Sequence, residues 1–432
     1  MNITTLLTSL SNCPCGKEHT VNIKAVEIGR GLLARTAEIL AENGFPRKIL
    51  AVADRNTLSA ADGIIDILKS GGFDVKLRLY DNLREADINE VHAVEADAAD
   101  REGILSIGTG SLNDICRVAA LTLDLPFAIF ATAPSMDGFA SGTAPITENN
   151  FKLTRPARQP EIIIGDTDIL AAAPAELKSA GFGDIIAKYA ALADWRIANL
   201  TMGEYYCERI AELVRGALRR VAALCDRVTE ESTEAAQALM ETLILTGLAM
   251  KLAHNSVRPA SGAEHVISHY WECKKLEMGQ LSDFHGKKCG VATLIVSKLY
   301  HEICAFDGIE IGEDRTDWED IYRVYGANFE NDIKKQNTPT VTEETTPERV
   351  RENWGEICRA VAEELPTPDV LLDMMRRAGA AVTYADIGVS EALGDEGVLY
   401  HAYMRHRMTL MRLLPMTNFP IKDSLIPLGV GR

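Results

Sequence analysis

Strand-like and helix-like segments alternate along this chain from Lys24 to about Asp166, and beyond Thr167 the strand signals nearly vanish. KILAVAD, FDVKLRLY, GILSIG and PFAIFAT read as strands, while TLSAADGIIDILKSGG and SLNDICRVAALTL carry helical periodicity. Strands alternating with helices argue for parallel pairing, because a helical crossover can return the chain to the edge it left. The spacing therefore predicts an α/β unit with a mostly parallel, doubly wound sheet. The turn-rich SGTAPITENN, with FKLTR and EIIIG after it, predicts a hairpin before the last strand. From DILAAAPAELKSA onward the apolar spacing is helical, through CERIAELVRGALRRVAALC, STEAAQALMETLILTGLAMKLA and the final EALGDEGVLYHAYMRHRMTLMRLL. The expected organisation is an N-terminal extension over 1–22, an α/β domain over 23–165 and an all-α domain over 166–432. The segment from Arg315 to Val341 is more polar, and KKQNTPTVTEETTPERV reads as a loop leading into another helix.

A chain of 432 residues with 47% hydrophobic and 25% charged residues has the composition of a two-domain globular protein. Its 45 basic residues against 62 acidic ones give a formal charge of -17, which argues against nucleic acid or an anionic membrane as partner. An anionic ligand would need a local basic pocket. No apolar run approaches the length of a membrane span, and MNITTLLTSLSNC lacks a basic n-region, so a cytoplasmic protein is expected. Nine cysteines spread over the chain suit reduced thiols. Cys13, Cys15 and His19 in CPCGKEH offer three metal-binding groups, but the C-x-C spacing is tight and no fourth ligand is evident. The segment reads as a local turn with incidental thiols.

Chemistry concentrates between Gly262 and Gly286, where GAEHVISHYWECKKLEMGQLSDFHG holds three of the nine histidines. His265 and His269 stand four apart, so a helix points both imidazoles to one side, and His285 opens a second helical stretch. With Asp184 of AGFGDIIAKY they form a set suited to a borderline divalent ion such as zinc, nickel or ferrous iron. Taken alone, the histidine pair is equally a satisfied polar pair on a half-buried helix.

Gly108, Thr109 and Gly110 follow a strand and precede a helix, where backbone can approach a phosphate and the helix N-terminus offers free N–H groups. A dinucleotide pyrophosphate fits such a turn, though the full GxGxxG fingerprint is absent. Asp54 ends KILAVAD at the carboxyl edge of the sheet, where it either accepts from ribose hydroxyls or caps the following helix. Thr132, Ala133, Pro134 and Ser135 follow the next strand at the same edge and are expected to contact the dinucleotide, the two hydroxyls reaching its phosphate or nicotinamide amide, while Asp137 can accept from a substrate hydroxyl.

These segments together carry a family likeness. SVRPASGAEHVISHYWE with DFHG, GFGDIIAKYAALADW, GTGSLNDICR and TAPSMDGFASGTAPIT resemble, in order, the sn-glycerol-1-phosphate dehydrogenases. Those enzymes share a superfamily with glycerol dehydrogenase, the iron-type alcohol dehydrogenases and dehydroquinate synthase, and the resemblance runs from about Ile23 to Tyr300. It implies a dehydroquinate synthase-like fold, with the α/β domain binding NAD or NADP and the helical domain binding one divalent metal. By motif position it implies Asp184, His265 and His285 as metal ligands. It also implies that Gly110, Ser111, Leu112, Asn113 and Asp114 contact the cofactor, that Ser141 faces it, and that Asp137 touches substrate. An acidic Asp54 beside the ribose would favour NAD over NADP.

Lys188 stands where iron-type alcohol dehydrogenases carry a further histidine ligand, one turn after Asp184. That departure leaves three protein ligands and sets a cation beside the metal. Lys188 and Arg258 are therefore expected to bind a substrate phosphate. His269 is expected next to the metal but outside its coordination, orienting substrate or relaying a proton. The expected activity interconverts dihydroxyacetone phosphate and sn-glycerol 1-phosphate, with a small phosphorylated substrate and a homo-oligomeric state. A glycerol dehydrogenase without a phosphate site, a carbocycle-forming lyase related to dehydroquinate synthase and a non-catalytic binder are the alternatives.

Overall fold

The structure is a computed structural model that describes residues 3–425. Among the described residues there are eight strands: β1 Ala25–Gly29, β2 Lys48–Asp54, β3 Asp74–Tyr80, β4 Gly103–Gly108, β5 Phe127–Ala131, β6 Thr143–Glu148, β7 Phe151–Pro156 and β8 Ile162–Asp166. Six of them form one wholly parallel sheet in the order β1-β8-β5-β4-β2-β3. The expected α/β topology is thus present. The last strand in the chain, β8, lies inside the sheet between β1 and β5.

Side-chain alternation explains why the central strands are apolar throughout. Ile49, Ala51 and Ala53 of β2 join Leu105 and Ile107 of β4 on one face, packed against Leu40 and Leu68 from two short helices. Leu50 and Val52 turn to the other face with Ile104 and Ile129, against Val91 and Ile115, and that core runs on into the helical part through Phe182, Trp195 and Leu243. Burial on both faces is the normal condition of a parallel sheet. Only β3, at the edge, leaves Leu77 and Leu79 exposed.

The expected hairpin is β6 and β7, an antiparallel pair separate from the main sheet, turned at Asn149 and Asn150 with φ of 53° and 63°. Two left-handed residues in a two-residue loop match the twist of a hairpin, and asparagine tolerates that conformation. The helix expected over TLSAADGIIDILKSGG is two helices, Arg55–Ala60 and Ile64–Ser70, interrupted at Gly63 with φ of 81°.

Helices begin directly after β8, at Thr167. The polar stretch from Arg315 to Val341 holds the helices Trp318–Tyr325 and Glu330–Gln336, and the expected loop leads, through a 3-10 turn at Val341–Glu344, into the helix Pro347–Glu364. The helix Thr233–Leu252 is long and apolar enough to cross a membrane by length and composition, a candidate the sequence reading passed over; it lies largely buried in the helical part. Residues 3–22 pack on that part too: Leu10 and Cys13 share its core, and Arg209 donates to the Ser9 carbonyl.

Candidate metal and dinucleotide site

Two helices that almost touch set the position of the metal-binding groups. Asp184 lies on Ala175–Ile186 and His285 opens His285–Ala305. A Cβ on Gly183 would fall 2.5 Å from the Gly286 carbonyl oxygen, and one on Gly286 would fall 1.9 Å from that of Ala180. Neither position has room for a side chain, so the two backbones approach as closely as glycine permits. A third helix, Ala263–Glu277, brings His265 and His269. Its first turn is held by Asp194, which accepts from the Ala263 and Leu410 backbone N–H groups and from the Tyr300 hydroxyl at 2.7 to 3.0 Å.

Donor atoms of Asp184, His265, His285 and Cys289 all lie within 4.8 Å of one another. His265 Nε2 is 3.4 Å from Asp184 Oδ1, the His265 and His285 ring centroids are 5.1 Å apart, and Cys289 Sγ is 3.5 Å from His285 Nε2. A carboxylate, two imidazoles and a thiol fit a borderline divalent ion, as the three expected ligands do without the thiol. Cys289 was missed from sequence, although its place four residues after His285 on the same helix face was a readable signal.

The outer partners orient these rings. Glu264 Oε1 lies 2.7 Å from His265 Nδ1, and Glu272 Oε2 lies 2.9 Å from His269 Nδ1. A carboxylate accepting from one ring nitrogen leaves the other free for a metal or substrate, the usual support of a liganding histidine. His269 stacks on His285 with centroids 5.6 Å apart and 24° between planes. Burial lowers His269 to about 4 despite Glu272, so it is neutral at pH 7. Glu272, itself buried, is held well below the carboxylate range against the cost of burial by Lys152 and Lys288, and its oxygen lies 2.8 Å from the latter.

Lys188 is fully buried, with Nζ 2.6 Å from Asp184 Oδ1 and 2.9 Å from Asp137 Oδ2. Burial works against its charge, but the two carboxylates hold the ammonium above its ordinary range. This corrects the expected phosphate role: both carboxylates already claim the cation, and it lines neither cavity at the site. Asp137 does line both, and its backbone N–H donates to Asp184 Oδ2 at 2.8 Å. Burial, then the Asp184 charge, raises its carboxyl.

Arg258 is corrected as well. Its Nε and Nη2 grip the two oxygens of Glu204 at 2.8 and 2.6 Å, and its Nη1 donates to the Met408 carbonyl at 2.6 Å. Its charge is thus already matched by Glu204, and it does not line the cavity that holds the three histidines. Two other arginines, unremarked in the sequence, line a cavity with His265, His269 and His285: Arg405 and Arg407. Arg405 donates to the carbonyls of Lys152 and Met404, and Arg407 to Ser261. Among the described residues, neither forms an ion pair with a carboxylate. Burial, then the charges of Arg258 and Arg405, pushes Arg407 down to about 9, and an anion placed here would offset that repulsion.

The second cavity opens beside the first, at the carboxyl ends of β4 and β5, where ligands bind in open α/β sheets. Thr109, Gly110, Ser111, Asp114 and Ser135 line it, together with His269 and His285. Gly110 caps the helix Ser111–Thr122 with φ of 52° and ψ of -124°, a conformation that a side chain would oppose. Thr109 and Ser135 hydroxyls are hydrogen-bonded at 2.8 Å across the cavity wall.

Other expected cofactor contacts do other work. Gly108 is a packing position, since a Cβ there would meet Leu112 at 2.5 Å. The Leu112 side chain is buried in the core, and Asn113 accepts from Ser106 of β4 at 2.7 Å, so neither side chain faces the cavity. Asp54 caps its helix through Thr57 N–H at 2.8 Å and lies off the cavity wall. Thr132, Ala133 and Pro134 are buried beneath the site, with the Pro134 carbonyl against Gly181. Ser141 lines the arginine cavity and donates to the Thr143 carbonyl at 3.1 Å.

Known proteins resemble this chain in sequence and in fold. Residues 27–174 match the family model described as iron-containing alcohol dehydrogenase. A glycerol-1-phosphate dehydrogenase [NAD(P)+] of Halalkalibacterium halodurans is 30% identical over 414 residues, covering 94% of this chain and 95% of that one. Another, of Bacillus velezensis, is 34% identical over 299 residues, covering 66% and 74%. The crystal structure of a probable glycerol dehydrogenase from Sinorhizobium meliloti superposes with a TM-score of 0.63 at 16% identity, over 94% of this chain and 96% of its own. With its parallel sheet, its Asp-His-His cluster and these relatives, the chain belongs to the glycerol-1-phosphate dehydrogenase family.

Proposed function

We propose that this protein is a metal-dependent, NAD(P)-linked dehydrogenase that interconverts dihydroxyacetone phosphate and sn-glycerol 1-phosphate. The observation that carries the reading is a pair of arginines without carboxylate partners, Arg405 and Arg407, on the same cavity as the three histidines. A protein of formal charge -17 cannot attract a dianion by its general field, so an anionic substrate needs such a pocket. A glycerol dehydrogenase would have no use for it.

When bound, the dinucleotide supplies or takes a hydride, and a divalent ion held by Asp184, His265 and His285 supplies an electron-pair acceptor for oxygen. Zinc or nickel suits this donor set, with the Cys289 thiol close by, better than iron does. Gly110 and the helix start at Ser111 support the dinucleotide phosphates. Arg405 and Arg407 orient the substrate phosphate. Neutral His269, whose Nδ1–H donates to Glu272, keeps Nε2 to accept the proton of the substrate hydroxyl during oxidation and return it during reduction. Glu272 stabilises the imidazolium in between. Lys188 offsets the repulsion between Asp137 and Asp184 without touching substrate. The reaction takes place in the cytoplasm, where nine cysteines stay reduced.

The test is oxidation of NADH with dihydroxyacetone phosphate against dihydroxyacetone, followed by chiral analysis of the product. Strong preference for the phosphorylated ketone with formation of sn-glycerol 1-phosphate supports the reading. Equal use of both ketones overturns it in favour of a glycerol dehydrogenase, and turnover without net NADH change favours a lyase.

A further inference from the structure

The CPCGKEH segment finds its fourth ligand in the fold. Cys13, Cys15, His19 and Cys207 place their donor atoms within 4.8 Å of one another, and the cluster shares no residue with the catalytic one. Cys13 Sγ lies 3.4 Å from Cys207 Sγ, Cys15 Sγ lies 3.3 Å from His19 Nε2, and Cys207 Sγ lies 3.8 Å from the same nitrogen. Donors around a tetrahedral zinc, with Zn–S of about 2.3 Å and Zn–N of about 2.0 Å, are separated by roughly 3.6–3.8 Å. The four atoms therefore need only small shifts to enclose an ion.

Local structure prepares each ligand. The tight C-x-C spacing is made workable by a turn in which Gly16 N–H donates to the Cys13 carbonyl at 3.0 Å, with Gly16 at φ of +75°. His19 Nδ1 lies 2.8 Å from the Leu252 carbonyl. A carbonyl can only accept, so Nδ1 carries the proton and Nε2 presents a lone pair to the three sulfurs. That is the tautomer a metal requires, fixed by the outer partner that usually fixes it. The Tyr205 hydroxyl donates to Cys15 Sγ at 3.4 Å.

We propose that Cys13, Cys15, His19 and Cys207 form a second, structural metal site with three sulfur ligands and one nitrogen, closed to substrate and suited to zinc. Binding would release the thiol protons. The site would fasten residues 13–19 to the start of the helix Glu208–Ala222 and the end of Thr233–Leu252.

The experiment uses the full chain, purified under reducing conditions, loaded with zinc and dialysed, with metal measured by mass spectrometry. Wild type is expected to hold two equivalents, and His285→Ala and Cys207→Ser one each. Zinc X-ray absorption on His285→Ala should show three sulfurs and one nitrogen. If Cys207→Ser does not fold, Cys15→Ser is read in its place. Absence of zinc from folded His285→Ala, a coordination shell of nitrogen and oxygen alone, or a Cys13–Cys207 disulfide in peptides from the freshly alkylated protein would each overturn the proposal.

Discussion

Lys188 Nζ and Asp184 Oδ1 stand 2.6 Å apart with no exposure to solvent. Removing one member of a buried pair leaves the other uncompensated, at a cost of about 3–5 kcal/mol. Lys188→Met should therefore lower the stability of the metal-free protein by about 3 kcal/mol, and added zinc should restore part of it by returning positive charge to Asp184. Denaturant titration with and without zinc measures this. A selective rise in KM for the phosphorylated ketone at unchanged stability would return Lys188 to the phosphate.

Arg405 and Arg407 should be read through substrate. Charge-assisted contacts contribute about 1.5–3 kcal/mol each, on the order of tenfold to a hundredfold in affinity. Arg405→Ala and Arg407→Ala should raise KM for dihydroxyacetone phosphate by that factor and barely alter residual turnover of dihydroxyacetone. Arg258→Ala should instead act on stability, since it strips Glu204 of its partner. Steady-state kinetics on the two ketones, with melting curves, separates the three.

How much of this was legible follows from where each signal resides. β2 and β4 are short apolar runs bounded by turns, and local pattern suffices to find them. β1, only five residues with a charged Glu27 in the middle, escapes the same reading. Asp184, His265 and His285 could be named because they sit in motifs. The arginines proposed for the phosphate could not: Arg258 neighbours the histidines in sequence, whereas Arg405 and Arg407 reach them only through folding. Cys207 likewise stands 188 residues from His19, so no spacing rule could supply it.

The histidines should separate by behaviour. His285→Ala removes a ligand and should lose catalytic metal and turnover together. His269→Ala should keep that metal and lose rate, because it acts on the substrate proton from outside the coordination sphere. Metal analysis beside kcat decides; a His269→Ala protein as metal-poor as His265→Ala would make His269 a ligand.

Asp194 gives a pH test. Burial, then the Glu264 charge, raises its carboxyl to about 7 against the donors around it. The folded state thus binds a proton that the unfolded state has released, and this contribution, complete below about pH 4, is lost as pH rises towards 7. Asp194→Asn does not titrate. The stability advantage of wild type over Asp194→Asn should shrink between pH 5 and pH 8 by on the order of 2 kcal/mol. Denaturation at the two pH values tests the sign.

The seam between Gly183 and Gly286 acts as a mechanical gauge. Because backbone rests on backbone there, the separation of Asp184 from His285 is set by peptide groups, which do not compress or change rotamer. One methyl group at either position would wedge the helices apart and widen the triangle of donors. The spacing open to an ion between Asp184 and His285 is then limited from the far side of these groups, by two residues that carry no side chain at all.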